Sequence, residues 1–414
     1  MVMTGKYQKI QNVLVVTSFL LITAPLNATA DAVTDWNQRA GDIVVNAKIG
    51  PLPAERALAI VQASVYEAVN AITQRYAVQD TKLQAAPGAS VEAAVAAANR
   101  AALTQLVPSQ QSAIDHIYQA ALAVIADGES KAGGIAVGEK AAQAILALRA
   151  GDGAAAGESY RPFTKAGVYV STVIPEAPQW MHRKPWLMSQ PAQFRPAPPP
   201  ELGSELWARD YNEVKVLGAK NSRERSAEQT AIARFWEEVM PPIYHGVVRS
   251  VANMPGREIT QNARLFAAVT QASDDGLIAV FDAKYHYGFW RPVTAIRNAD
   301  IDGNDATERD AAWLPFIDTP MHPEYPCAHC IVSAAVGTVL QIEIGDGQTP
   351  LLTTTSTAAG GVARSWTNLS DFMQEVADAR IYDGVHYRNS GKVGSEMGRK
   401  IANLAAEKYA LKTK

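Results

Sequence analysis

The chain has 414 residues, of which 48% are hydrophobic and 19% are charged, and its formal net charge is -3. This composition is typical of a globular protein with enough apolar material for a large core. The slight acidity, and a sequence without a block of basic residues, argue against a nucleic-acid-binding protein. Because alanine is abundant and runs of β-branched residues are short, we expect a helix-rich fold.

Residues 1–30 have the layout of a secretory signal peptide. Lys6 and Lys9 precede the apolar stretch VLVVTSFLLITAPL, and the small residues Ala28-Thr29-Ala30 follow it. The apolar stretch is shorter than the roughly 20 residues that a membrane span needs. We therefore predict cleavage near Ala30, export to the periplasm or out of the cell, and no membrane span in the mature chain.

Residues 31–160 are predicted to form an N-terminal helical half. In PAERALAIVQASVYEAVNAI, apolar residues such as Leu58, Val61 and Val65 recur at three- and four-residue spacing, which is typical of one buried helix face. The segments VEAAVAAANRAALTQLV and KAAQAILALRAG repeat this pattern. None of them carries an obvious catalytic group, so we expect these helices to provide packing.

Residues 161–207 are predicted to be a proline-rich crossover. This segment holds nine of the chain's 23 prolines, together with Trp180 and Trp186. Proline removes a main-chain donor and breaks helices, so we expect an extended connection. The aromatic residues indicate that it packs across the protein surface and is not an independent domain.

Residues 208–414 are predicted to form a C-terminal helical bundle that carries the functional site. Between its helices, GDGQTPLLTTTSTAAGGVARSW is rich in turn residues with some strand character, and we expect a long loop there. The segments with helical periodicity are SAEQTAIARFWEEVM, ITQNARLFAAVTQASDDGLIAVFDAKYHYGFW, IVSAAVGTVLQIEI, SDFMQEVADAR and SEMGRKIANLAAEKYA.

The first cluster of candidate functional residues is KYHYGFWRP. Lys284 and Arg291 are seven residues apart, or two helical turns, so both cations are expected to project from one helix face. Pro292 is expected to end or bend that helix.

The second cluster is ARIYDGVHYRNS. A helix is expected to end near Arg380, and Asp383-Gly384 is a turn signal. Such a turn can bring the guanidinium of Arg380 and the imidazole of His386 to one place.

The third cluster, HPEYPCAHC, contains both cysteines of the chain. Pro326, followed by small residues and an apolar run, predicts a helix N-terminus. The free amides of Cys327, Ala328 and His329 would then suit an anion. In an oxidising compartment Cys327 and Cys330 can form a disulfide, whereas a reduced pair would suit redox or metal chemistry.

The three clusters together favour an oxyanion site. One lysine and two arginines offer many donors to a tetrahedral anion. Of the two histidines, one can bond to the central atom and the other can act as acid or base. Phosphate or vanadate chemistry needs this set of groups.

The order K-x6-RP, P-x-x-H and R-x5-H resembles the signature of the vanadium-dependent haloperoxidases and the type 2 phosphatidic acid phosphatase superfamily. The family pattern is KxxxxxxRP, PSGH and SRxxxxxH. The resemblance extends to DAVTDWN, ALAIVQASVYEAVNAI, QFRPAPPP and DAKYHYGFWRP, and so covers nearly the whole mature chain. It implies an all-α fold of two four-helix bundles packed together, with the site on the second bundle.

The resemblance also implies roles for individual residues. His386 would bond to vanadium, His329 would be the acid/base, and His322 would tune halide preference towards bromide. The implied cofactor is vanadate, with phosphate able to occupy the same site. The implied partners are hydrogen peroxide, a halide and a small organic substrate. The other residues implied to bind the cofactor are Lys284, Arg291, Cys327, Ala328 and Arg380.

The chain departs from the family pattern in two places. The serine of PSGH is Cys327 here, and a thiol is a weaker donor than a hydroxyl and can be oxidised near peroxide. Phosphatases continue H-x3-D after the second histidine, whereas this chain has Ser390 at that position. No carboxylate that orients His329 is obvious; Asp274 and Asp275, about three turns before the lysine, are the candidates.

Three functions remain open from the sequence. The first is a vanadate-dependent haloperoxidase. The second is a periplasmic acid phosphatase in which His386 accepts the phosphoryl group and His329 protonates the leaving group. The third is a non-halogenating redox or binding protein in which Cys327 and Cys330 are the working pair, although the βαβ context of such proteins is missing. The sequence is compatible with a homo-oligomer.

Overall fold

The structure is a computed structural model that describes residues 30–171 and 173–411. The predicted signal peptide lies outside the described residues, apart from Ala30. The helices are α1 (Ala32–Asn46), α2 (Pro51–Thr73), α3 (Val91–Leu106), α4 (Gln111–Ala123), α5 (Glu129–Leu148), α6 (Glu205–Leu217), α7 (Ala227–Phe235), α8 (Pro242–Ala252), α9 (Ile259–Tyr287), α10 (Pro292–Arg297), α11 (Ala328–Ile344), α12 (Leu369–Tyr382) and α13 (Arg388–Lys408). The strands are β1 (Leu352–Ser356) and β2 (Val362–Trp366).

Helix α9 lies at the centre of the fold. It packs against α2 on the N-terminal side, and against α11 and α13 on the C-terminal side. Every residue from Asn262 to Tyr285 is buried, as expected of a helix covered all round. One continuous hydrophobic core runs through both parts of the chain. None of the helices within the described ranges is long and apolar enough to cross a membrane.

The close contact of α11 with α13 depends on glycine. A Cβ atom at Gly394 would collide with the carbonyl oxygen of Cys327, and one at Gly398 with the carbonyl oxygen of Ile331. Only glycine therefore allows the start of α13 to lie against the first turns of α11. This approach brings the residues just before α13 next to the N-terminus of α11.

The proline-rich crossover is attached to α9 by buried ion pairs. Arg183 is fully buried, and its guanidinium lies 2.6 Å from Asp274 Oδ1 and 2.9 Å from Asp152 Oδ2. Short 3-10 turns at Pro178–His182 and Pro191–Phe194 lie against the same helix. The segment is thus extended and packed, and its charges neutralise those of α9.

Asp274 and Asp275 bind this crossover and do not orient His329. Asp274 accepts from the Trp186 indole (2.8 Å), and Asp275 accepts from three consecutive main-chain N–H groups, beginning with that of Trp186 (2.7 Å). Burial raises the pKa of Asp275 to about 6. The expectation for these two carboxylates was wrong because both face the crossover side of α9.

The segment expected to be a long loop is a β-hairpin. Strands β1 and β2 pair antiparallel, from Leu352 opposite Trp366 to Ser356 opposite Val362. The β-branched run of threonines in β1 favours a strand, and two glycines at positive φ between the strands allow the turn. The hairpin packs on α8, where the Thr354 hydroxyl donates to a main-chain carbonyl.

Candidate active site

Lys284 and Arg291 do not share a helix, contrary to the expectation from their spacing. Helix α9 ends three residues after Lys284, where Gly288 adopts a left-handed conformation (φ 57°) and caps it. Arg291 is the N-cap residue of α10, and Pro292 begins that helix instead of ending the previous one. The chain nevertheless reverses direction between α9 and α10, so both cations contact the same segment.

That segment is His322-Pro323-Glu324, whose carbonyl groups accept from both cations. Lys284 Nζ donates to the carbonyl oxygens of Pro323 (2.8 Å) and Glu324 (2.7 Å). Arg291 Nε donates to the carbonyl oxygen of His322 (2.9 Å). Burial, together with the positive charge of Arg291, holds the pKa of Lys284 well below its usual range. The surrounding groups therefore neutralise the positive charge of Lys284 only in part.

His386 is held between a carboxylate and a guanidinium. Its Nδ1 lies 2.7 Å from Glu324 Oε1, and its Nε2 lies 3.2 Å from Arg291 Nη1. A guanidinium nitrogen can only donate, so Nε2 accepts and the ring proton is on Nδ1, donated to Glu324. Burial and the nearby cations hold the pKa of His386 well below its usual range. The imidazole is thus neutral and presents a lone pair at Nε2.

Glu324 is the residue that the sequence analysis missed. Its carboxylate is fully buried and also accepts from the main-chain N–H of Tyr387 (3.1 Å) and the hydroxyl of Ser390 (2.7 Å). Burial raises its pKa to about 7. Ser390 stands where phosphatases carry the aspartate of H-x3-D, so here Glu324 supplies the carboxylate from a different part of the chain. A lone glutamate between two prolines was the only local signal.

Arg380 is brought to His386 by the predicted turn. The amide of His386 donates to the carbonyl of Arg380 (3.1 Å), and Gly384 adopts a positive φ of 84°. Arg380 Nη1 donates to the carbonyl of Trp236 (2.7 Å) and lies 2.8 Å from Asp383 Oδ2. Its Nε atom is buried and has no hydrogen-bond partner in the described part of the chain.

The N-terminus of α11 offers two free amides, not three. Cys327 is the N-cap residue, and its own N–H donates to the carbonyl of Ser390 (3.2 Å), so the expectation of a free amide there was wrong. The amides of Ala328 and His329 have no acceptor among the described residues. They occupy the first two positions of the helix, whose amides normally lack a partner within the helix.

His329 is oriented by a carbonyl group and not by a carboxylate. Its Nε2 lies 3.2 Å from the carbonyl oxygen of Glu238. Because a carbonyl only accepts, the proton is on Nε2 and the lone pair is on Nδ1. Burial and the charge of Arg380 hold the pKa of His329 well below its usual range. The ring is therefore neutral and can take up a proton at Nδ1.

Cys327 and Cys330 form a disulfide, and both residues are fully buried. Cys327 Sγ accepts from the main-chain N–H of Cys330 (3.1 Å) and so caps α11. A disulfide sulfur has no hydrogen, so the position of the family's serine supplies no donor here.

His322 lies between the cations and an aromatic ring. It is buried, its Nδ1 is 3.1 Å from Arg291 Nη2, and its ring centroid is 5.1 Å from that of Phe281. Burial, together with the nearby cations, holds the pKa of His322 well below its usual range.

These groups meet at one end of a cavity of about 740 Å³. Lys284 and Arg291 are almost completely buried and do not line the cavity. The candidate residues of the three sequence clusters that do line it are His322, Ala328, His329, Arg380 and His386.

The donor set fits a tetrahedral oxyanion. Three buried basic side chains face two buried carboxylates, Glu324 and Asp383, while burial favours the neutral form of the histidines. An anion would balance this excess of positive charge, and the free Arg380 Nε and two helix amides remain to receive its oxygens. Fold and site together define a helical protein with a buried cationic site, suited to an oxyanion, beside a large cavity.

Comparison with known proteins finds similarity to vanadium haloperoxidases. Residues 264–413 match the VCPO second helical-bundle domain. The vanadium chloroperoxidase of Curvularia inaequalis is 30% identical over 144 residues, which cover 28% of this chain and 23% of that protein. The chain thus matches less than a quarter of that relative's length. Residues 264–413 thus belong to this helical-bundle domain family, and the comparisons together support the vanadium haloperoxidase family for the chain.

Solved structures of the family share the fold of almost the whole chain. A bacterial vanadium-dependent iodoperoxidase superposes with a TM-score of 0.75 at 24% identity, covering 93% of this chain and 98% of that one. A holo-type bacterial vanadium-dependent chloroperoxidase gives a TM-score of 0.70 at 18% identity, covering 94% and 99%. The predicted all-α, vanadium haloperoxidase-like fold is confirmed.

Proposed function

We propose that the protein is a vanadate-dependent haloperoxidase that uses hydrogen peroxide to oxidise a halide, with bromide favoured. The observation that carries this proposal is the lone pair of His386 Nε2, fixed by Glu324 on the other side of the ring and surrounded by three buried cations. A neutral imidazole with a carboxylate behind it is the usual form of a metal-binding histidine.

Vanadate would be held at this lone pair by the donors around it. His386 Nε2 would bond to the vanadium atom, while Lys284, Arg291 and Arg380 would neutralise the oxygens, aided by the amide of Ala328. Bound there, vanadate would supply an electrophilic centre that activates hydrogen peroxide towards a halide. Because Cys327 supplies no donor, the vanadate oxygen that the family's serine would hydrogen-bond must receive its hydrogen bonds from the remaining groups.

His329 would handle the proton of this reaction. Nδ1 of its neutral ring takes a proton as peroxide binds and returns it to the oxygen that leaves as water. The overall balance is halide, hydrogen peroxide and one proton giving hypohalous acid and water. His322, beside Phe281 and Arg291, would contact the halide and favour bromide.

A phosphatase is the second candidate, and one observation favours keeping it. Glu324 provides His386 with the carboxylate partner that the Ser390 position lacks, so Nε2 could equally attack a phosphoryl group. Against this candidate, the carboxylates of Glu176, Glu237 and Asp318 also line the cavity and would repel a dianionic phosphomonoester. A halide ion carries half the charge of that dianion and hydrogen peroxide carries none, so both meet a smaller barrier.

Thiol redox function is not proposed, because both sulfur atoms are buried. A partner thiol must reach a sulfur atom to exchange with it, and neither cysteine is exposed. Export of the protein, predicted from residues 1–30, remains part of the proposal.

Two assays run in parallel test the function. The protein is reconstituted with orthovanadate, and bromination of a dye by bromide and peroxide is measured; hydrolysis of p-nitrophenyl phosphate is measured without vanadate. We expect bromination that His386→Ala abolishes and that His116→Ala, at an exposed histidine, leaves unchanged. Ester hydrolysis that depends on His386, without bromination, would establish the phosphatase instead.

A further inference from the structure

The cavity is much larger than the reactants of the proposed function require. Its volume is about 740 Å³, within the range of about 300–1,000 Å³ that is typical of sites for organic ligands. Hydrogen peroxide and a halide ion each have about the bulk of one or two waters, and a water occupies about 30 Å³ in the liquid. Most of the cavity is therefore available to another molecule.

Apolar side chains form much of the cavity wall. Leu277 and Phe281 of α9 and Val332 of α11 are buried side chains that line it. At the cavity mouth, Ile174 and Met321 are exposed, to 85% and 50%. Apolar surface at this position favours the uncharged body of an organic molecule over ions or water.

Two buried polar groups in this wall have no partner. Glu55 of α2 is only 2% exposed and lines the cavity, and its carboxyl makes no hydrogen bond to any described residue. The hydroxyl of Tyr244 of α8 is also buried, unpaired and in the lining. A buried polar group without a partner costs about 1–3 kcal/mol.

Burial favours the protonated form of both groups. Burial raises the pKa of Glu55 well above its usual range, and burial also raises the pKa of Tyr244. A protonated carboxyl group and a phenol can each donate and accept one hydrogen bond. The ligand group that matches them is a neutral hydroxyl, which also both donates and accepts.

We propose that this cavity binds a phenol-type organic acceptor of one or two aromatic rings, whose hydroxyl bonds to Glu55 and Tyr244 and whose ring lies against the apolar wall. The inference rests on the proposed function, because the bound ring would be the molecule that the oxidised halide attacks. Glu55 comes from the N-terminal half of the chain, so that half contributes to substrate selection. The carboxylates Glu237 and Asp318 near the same cavity disfavour phenolate and other anions.

Binding to the vanadium-free protein tests the inference independently of peroxidase activity. We expect 2-naphthol to bind in calorimetric titration at least tenfold more tightly than naphthalene, which has the same rings without the hydroxyl. In Glu55→Leu, affinity for 2-naphthol should fall at least tenfold, and affinity for naphthalene should be unchanged or higher. Orthovanadate should bind this variant as it binds the parent protein, which verifies that the variant is folded.

The control variant is Glu129→Leu, which removes an exposed carboxylate outside the cavity and should change neither affinity. Equal affinity of the parent protein for 2-naphthol and naphthalene would overturn the inference without any variant. So would unchanged binding of 2-naphthol to Glu55→Leu. If 2-naphthol binding depends on Glu55 but the vanadate-loaded protein brominates nothing, the proposed function fails and the binding site stands.

Discussion

The substitution Glu324→Gln tests whether His386 bonds to the central atom of the anion. The amide is nearly isosteric with the carboxylate, so its oxygen can still accept from His386 Nδ1 and the N–H of Tyr387, and the hydroxyl of Ser390 can rotate to accept from the new NH₂. The fold should be retained. What changes is one buried negative charge and the strength with which it polarises the imidazole.

These two changes act in opposite directions on anion binding. Removing a like charge near the anion favours the binding of either anion. A weaker partner behind a ligating histidine lowers affinity by about 10–100-fold. Phosphate, which does not bond to His386, should feel only the first effect. Vanadate should feel both, so the ratio of vanadate affinity to phosphate affinity should fall about 10–100-fold in Glu324→Gln.

The assay is calorimetric titration of the parent protein and the variant with each anion at pH 8. This pH is above the Glu324 pKa of about 7, so the parent carboxylate carries its charge. Ser390→Ala is the matched control, because it removes one hydrogen bond to the carboxylate and keeps the charge; its affinity ratio should change less than about threefold. If the ratio is unchanged in Glu324→Gln while both affinities rise, His386 does not bond to the anion and the reasoning is refuted.

Three further substitutions test other parts of the structure. Arg183→Ala leaves Asp274 buried without its counter-charge, so the free energy of unfolding in urea should fall by about 3–5 kcal/mol; a loss below about 1 kcal/mol would contradict this. Burial lowers the pKa of His245 to about 3 in the folded protein. Below the ordinary histidine pKa of about 6.5, His245 of the unfolded chain therefore binds a proton, whereas His245 of the folded chain does not. Stability should therefore fall with decreasing pH between about 6.5 and 3, by at most ~1.4 kcal/mol per pH unit, and the slope of unfolding free energy against pH should be smaller in His245→Gln. Cys327→Ser combined with Cys330→Ala restores a hydroxyl donor, so it should bind vanadate about fivefold more tightly than Cys327→Ala with Cys330→Ala; equal affinities would mean that this position does not contact the anion.

Short-range signals in the sequence predicted the structure well. Asp383-Gly384 marks a turn, and a turn is enough to bring Arg380 and His386 together. The spacing of Lys284 and Arg291 was read as one helix, because a left-handed glycine in KYHYGFWRP cannot be distinguished by periodicity from an ordinary helical residue. The cations still meet, for a different geometric reason.

Partners that are distant in sequence were not predictable. Glu324 lies 62 residues from His386 and 66 from Ser390, and no local pattern links them. The helical periodicity of the sequence placed Asp274 on α9. It did not predict which segment would pack against the face of α9 that carries Asp274. Arg183, 91 residues earlier, turned out to be its partner. Such contacts are determined by the packing of one segment against another, and the sequence of a single segment does not predict that packing.

Helix α9 makes the two halves of the chain depend on each other for stability. It supplies Lys284 to the site, yet it is buried by α2 of the N-terminal half as well as by α11 and α13. A fragment consisting of the C-terminal bundle alone would expose the face of α9 that α2 covers, and would leave Asp274 without Arg183. The two halves should therefore unfold in one cooperative transition. Limited proteolysis in the crossover should yield fragments that stay associated until they denature together.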